Sequence, residues 1–107
     1  MRLTIILTTK NPETNWNAFR LANLALIKGD EVQVFLLGEG VEYNMVHHEQ
    51  FNIQKQVASF QKSQRAKILA CTTCMKIRNK AASQTCPLGG IEDLYFLVRD
   101  SDKVLTF

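Results

Sequence analysis

A chain of 107 residues with 46% hydrophobic and 21% charged side chains can bury roughly two thirds of the surface its unfolded form exposes, which excludes a disordered segment and a disulfide-stapled miniature. No apolar stretch approaches the ~20 residues a membrane-spanning helix requires, and the opening MRLTIILTTK has no small-residue cleavage site, so it reads as a first strand and not a signal peptide. Net charge is only +3, and three cysteines cannot form a complete disulfide framework within one chain; without an export signal their expected state is reduced, in a cytoplasm.

In chain order, Leu3–Leu7 is the near-continuous apolar run of a strand covered on both faces. A helix start follows in KNPET, where Asn11 can cap, Pro12 suits the first helical position and Glu13 complements the dipole. Trp16, Phe19, Ala22 and Leu26 then recur at helical spacing until Gly29. EVQVFLLG is a second buried strand, and residues 38–52 have no clear period and read as a loop with at most a helical turn. Ile53, Val57 and Phe60 mark an amphipathic helix that Asn52 can cap. KILAC is a third strand running straight into a helix, TTCMKIRNKAA, which SQTCPLGG breaks. Ile91, Leu94, Tyr95 and Val98 line a last helix, with Glu92 and Asp93 in its first turn, and DKVLTF closes the chain as a strand. No repeat or linker intervenes, so residues 1–107 are expected to form one domain. The alternation of strand and helix predicts an α/β layer fold with a parallel sheet of four to five strands.

Ligands of such sheets bind beyond the carboxyl ends of the strands. With the first strand placed centrally, that rim gathers Thr8–Asn11, Gly38–Gly40 and Cys71–Thr73, together with Phe107. Charge is unevenly spread: between Gln50 and Ile91 there is no Asp or Glu, while Lys55, Lys62, Arg65, Lys67, Lys76, Arg78 and Lys80 supply seven positive charges around all three cysteines. Such a field favours thiolate over thiol and attracts anionic ligands or acidic partners. A nucleic-acid groove would interleave aromatics with those bases; only Phe51 and Phe60 are available, so direct nucleic-acid binding is disfavoured.

Cys71 closes a strand and precedes a helix, whose free N–H groups and dipole stabilise an anion beside them, with Thr72 or Thr73 as the natural cap. Cys74 shares helical spacing with Ile77 and Ala81 and reads as a small buried hydrophobe. Cys86, before Pro87, is a resolving thiol, a ligand or neither. Three chemistries compete for these residues. A thioredoxin-like redox pair would use Cys71 and Cys74, but that motif normally follows the first strand, and the Thr-Thr spacer lacks the usual Gly or Pro. A metal site from Cys71, Cys74, Cys86 and His47 or His48 has the wrong spacing for zinc, so no metal is expected. A sulfur carrier needs one activated thiol in positive surroundings, and no general base, metal or organic cofactor. No P-loop, dinucleotide fingerprint or Ser-His-Asp logic competes with it.

The segments LANLALIKGDEVQVFLLGEGVE, ILACTTCMKIR and CPLGGIEDLYFLVRDSDKVLTF together resemble the DsrE/DsrF-like family over nearly the whole chain. The resemblance implies a flavodoxin-like three-layer α/β/α fold, trimers or hexamers, and sulfur transfer through a cysteine after the third strand, which matches Cys71. It thereby implies sulfur donor and acceptor proteins as partners, with Cys71 holding sulfane sulfur as a persulfide in a sulfurtransferase-like relay. Lys76 and Arg78 then contribute positive potential, and Lys10 and Asn11 shape the neighbouring rim. The second thiol, Cys74, departs from the family pattern, and a Cys71–Cys74 disulfide would remove the acceptor. A redox switch, or a non-catalytic oligomeric subunit whose cysteines only pack, are the alternatives. The apolar Tyr43, Met45, Val46 and Phe51 offer a surface for a second copy or fold back on their own helices.

Overall fold

Five parallel strands form the frame of this computed structural model, which describes residues 1–45, 47–81 and 87–107. They are β1 (Arg2–Leu7), β2 (Glu31–Leu36), β3 (Ala66–Cys71), β4 (Leu88–Gly89) and β5 (Lys103–Thr106), in the order β4-β3-β2-β1-β5. Leu7 pairs with Leu36 and Leu36 with Ala70, so the carboxyl ends of β1, β2 and β3 form one rim. The middle strand is β2 and not β1. β4 lies in the stretch read as a helix breaker; at two residues, pairing Ala70 with Leu88 and Cys71 with Gly89, it has no periodicity to detect.

Helices α1 (Pro12–Ile27) and α2 (Ile53–Gln61) cover one sheet face. Leu3, Ile5, Leu7, Val32, Val34, Leu36, Ile68 and Ala70 project toward them and meet Phe19, Ala22, Val57 and Phe60. The expected caps hold both helices: Asn11 Oδ1 accepts the Thr14 N–H at 3.0 Å and Asn52 Oδ1 accepts the Lys55 N–H at 3.1 Å. α1 ends in a left-handed turn at Gly29 (φ 98°), with Asp30 N–H bonded to Ala25 C=O and Gly29 N–H to Leu26 C=O.

Alternate residues of the same strands, Phe35, Leu69 and Cys71, point the other way, to a second cluster with Leu94 and Leu97. Those two leucines belong to α4 (Ile91–Asp100), the helix crossing that face. The expected inward stripe of α4 holds only at Leu94. Ile91, Tyr95 and Val98 are exposed, and Leu97 replaces them against the sheet. The helix is apolar on more than one side, so spacing alone could not select its buried face.

α3 (Thr72–Ile77) is much shorter than the expected helix through Ala81. Asn79 adopts φ 53°, Lys80 N–H bonds to Met75 C=O and Asn79 N–H to Lys76 C=O, a left-handed cap that stops the helix. The residues after β2 are not shapeless: Gly38–Glu42 form a 3-10 turn. Tyr43 is buried and stacks near Phe19 (centroids 5.8 Å), Phe51 packs on Trp16 (5.4 Å), and Met45 remains exposed. Val46 lies outside the described residues.

Gly40 holds this turn against β1. A Cβ there would stand 1.9 Å from the Leu7 carbonyl oxygen, a separation no side chain tolerates. Gly40→Ala should destabilise the fold by about 3 kcal/mol or more; a thermal melt within a degree or two of the parent would contradict this packing.

Candidate functional site

The site is built where β3 becomes α3. Cys71 is the last residue of the strand and also the N-cap of the helix, with extended dihedrals (φ −59°, ψ 120°). Neither Thr72 nor Thr73 caps it; no side chain does. Cys71 is only 5% exposed, its side chain lying with Phe35 and Leu69. The backbone N–H groups of Cys74 and Thr73, at the helix opening, nonetheless act on its sulfur to lower its pKa.

Two effects oppose each other on this thiol. Burial raises its pKa above the ordinary value and is the larger; the Cys74 and Thr73 amides lower it, while the hydrogen bond and proximity of the Cys74 thiol raise it again. The net shift is upward, contrary to the depressed value expected from sequence. A helix start alone does not ionise a thiol placed in hydrocarbon.

Cys74 is not the buried hydrophobe its spacing suggested. It is half-buried, touches both apolar clusters, and its Sγ accepts the Gly38 N–H at 3.2 Å. Ile77, assigned to the same side, is 71% exposed, and Met75 is the residue α3 buries. Neither thiol is in a disulfide. Cys86 lies outside the described residues.

Arg78 Nε reaches Glu42 Oε1 at 2.7 Å and its Nη1 donates to the Cys74 carbonyl at 3.2 Å. It therefore ties α3 to the 3-10 turn, with its charge directed at a carboxylate. Lys76 is exposed on α3 and Lys10 on the β1–α1 loop; Asn11 is occupied in capping α1. Among the described residues neither Lys10 nor Asn11 hydrogen-bonds to a thiol. Thr8 closes the reversal point of the sheet between β1 and β5, its N–H and hydroxyl both donating to the Phe107 carbonyl at 2.8 Å. The basic run of the sequence is dispersed in space. Lys67 stands near the start of β3, away from Cys71 at its end, and Arg65 Nη2 donates to the Leu26 carbonyl at 2.9 Å.

Among the described residues no group of three or more His, Cys, Asp or Glu side chains is placed to hold a metal ion. His47 and His48 are exposed, and His48 stacks on Phe51 (centroids 4.8 Å). No helix of the described residues is long and apolar enough to cross a membrane.

Sequence patterning placed Gly38 on the rim but could not reveal that its amide meets Cys74, or that Glu42 pairs with Arg78. Gly38 and Glu42 act through a backbone amide and a contact 36 residues distant in the chain.

Because the folded state holds the Cys71 proton more tightly than the unfolded state, its burial stabilises the fold fully below the free-thiol value of ~8.5 and loses that contribution as pH rises through the folded pKa. In graded-pH alkylation of the native protein, Cys71 should reach half-maximal reactivity above ~8.5. A midpoint clearly below that value would contradict the dominance of burial.

Comparison with known proteins agrees with this architecture. An uncharacterized protein of Methanopyrus kandleri is 28% identical over 100 residues, covering 89% of this chain and 83% of its own. One from Methanocaldococcus jannaschii is 28% identical over 114 residues, covering 100% of both. The crystal structure of the ychN protein from E. coli superposes with a TM-score of 0.83 at 24% identity and full coverage of both chains, which establishes the shared α/β fold. The profile of the DsrE/DsrF-like family matches residues 1–107, and the chain belongs to that family.

Proposed function

We propose that this protein is a sulfur carrier that holds sulfane sulfur as a persulfide on Cys71 and passes it to a partner protein. Family membership suggests a sulfur-relay-like role, and the observation carrying the residue assignment is the position of Cys71 as the last residue of β3 and the N-cap of α3, where the Thr73 and Cys74 amides act to lower its pKa. In loading, Cys71 Sγ bonds to the terminal sulfur of a donor persulfide, the donor's S–S bond breaks, and the donor leaves as a thiol carrying the proton Cys71 gives up. No net oxidation occurs. A persulfide is more acidic than its parent thiol, so amides too weak to ionise buried Cys71 can hold the loaded group as an anion. Delivery reverses the exchange onto an acceptor thiol.

The carrier reading places the protein in the cytoplasm, among donor and acceptor proteins of acidic character, with exposed Lys76 as the free cation on α3. It also assigns a homo-oligomer, a trimer or hexamer. Support for assembly comes from α4, where Ile91 (72% exposed), Tyr95 and Val98 form an apolar stripe at i, i+4 and i+7 facing solvent.

A thiol–disulfide switch is the second reading, favoured by the two free thiols packing in one apolar cluster. It predicts a two-hydrogen loss on mild oxidation and no retained sulfur.

After incubation with a persulfide donor and removal of the donor, intact-mass analysis should show one added sulfur, mapped to Cys71. Sulfur that survives a brief cyanide rinse should vanish in Cys71→Ser and persist in Cys74→Ser; rinse-resistant sulfur in Cys71→Ser would overturn the assignment. Tyr95→Lys should shift sedimentation toward monomer, whereas an unchanged oligomer would remove α4 from the interface.

A further inference from the structure

We propose that the two thiols act in series: Cys74 takes the sulfur from the donor, and Cys71, beneath it, stores the sulfur. This rests on the carrier reading and adds an ordered first step. Three observations carry it. Cys71 is only 5% exposed, whereas Cys74 is half-buried, so a donor meets Cys74 first. The Gly38 amide donates to Cys74 Sγ at 3.2 Å, and Cys71 and Cys74 lie against the same apolar cluster. Cys74 Sγ thus has a fixed hydrogen-bond donor beside it, both when it attacks and when it leaves. Finally, both side chains contact the Phe35–Leu69 cluster, so the transfer between them occurs in a water-poor setting.

The amide that serves Cys74 is held in place. Gly38 lies at φ 58° in the turn that Gly40 packs against Leu7, and the Arg78–Glu42 pair (2.7 Å) fastens that turn to α3. The second thiol is therefore provided with a fixed donor from a different strand's loop. A residue present only to fill space needs no such donor.

The chemistry balances without an oxidant or reductant. Cys74 thiolate attacks the terminal sulfur of a donor persulfide, R–S–SH; the new Sγ–S bond forms, the donor S–S bond breaks, and R–S⁻ departs. Cys71 Sγ then attacks the terminal sulfur of Cys74–S–SH. The Cys74 Sγ–S bond breaks, and the proton leaving Cys71 passes to Cys74 Sγ. Cys71 ends as the persulfide and Cys74 as the thiol. Attack by Cys71 on the inner sulfur would instead expel hydrosulfide and leave a Cys71–Cys74 disulfide.

Rapid-quench intact-mass kinetics with excess glutathione persulfide, in a Cys86→Ser background, tests the order. Cys74→Ser and Cys74→Ala should both load Cys71 to the parent endpoint at least about tenfold more slowly. Cys71→Ser should gain sulfur on Cys74 at the parent initial rate and lose it quickly once the donor is replaced by cyanide. Parent-rate loading in both Cys74 variants, or no transient load in Cys71→Ser, would overturn the series order while leaving the carrier reading intact. A parent protein that takes up no sulfur would overturn the carrier reading itself. A product two hydrogens lighter with release of sulfide would overturn both in favour of the redox switch.

Discussion

The chain passes from β3 into α3 with no loop between them, and the character of both thiols follows from that junction. Cys71 is at once the last strand residue, whose side chain must follow the pleat into the α4-facing cluster, and the helix N-cap, whose sulfur faces the first free amides. A loop of even two residues would separate these roles, leaving either a buried inert thiol or an exposed one beside the helix. Combined, they give a thiol that is protonated at rest yet already carries the hydrogen bonds an anionic product would use. Such a residue suits storage better than attack.

The junction stays put because three features fasten it, two of them contacts with the turn after β2. The Gly38 amide meets Cys74, Arg78 joins the Cys74 carbonyl to Glu42, and Asn79 terminates α3 so that Arg78 can turn back. Behind the turn, Gly40 lies close enough to the Leu7 carbonyl to forbid any side chain. The β2 end, the β1 end and α3 are therefore locked in one arrangement, and the distance between the two sulfurs is set by backbone packing, not by flexible side chains.

The two faces of the sheet are unequally covered. One carries α1 and α2 over a large cluster of buried side chains. The other carries α4, none of whose residues is fully buried and whose outer side is as apolar as its inner one. Cys71 belongs to the thinly covered face. A second copy seated on α4, as proposed above, would complete that layer and deepen the hydrocarbon around Cys71.

Local chemistry was legible in the residues. The asparagine caps, the left-handed glycine after α1, the apolar strands and the strand-to-helix position of Cys71 each depend on near neighbours in the chain, and each stands as read. The relative burial of the two cysteines was not legible: Cys71 is the more buried thiol and Cys74 the more exposed. α3 spans only six residues, fewer than two turns, so a 3.6-residue period cannot say which side is buried. The same limit hid the inward face of α4, which has apolar residues on both sides. The run of basic residues looked like a single field in one dimension, but β3 carries its charges to opposite ends of the domain and Glu42 takes up one of them. Burial, amide donors and ion pairs are set by segments that meet only after folding. The sequence alone could thus place Cys71 and Cys74 at the strand-to-helix junction, while the tertiary packing decided which thiol is buried and which meets the Gly38 amide, because those neighbours come together only on folding.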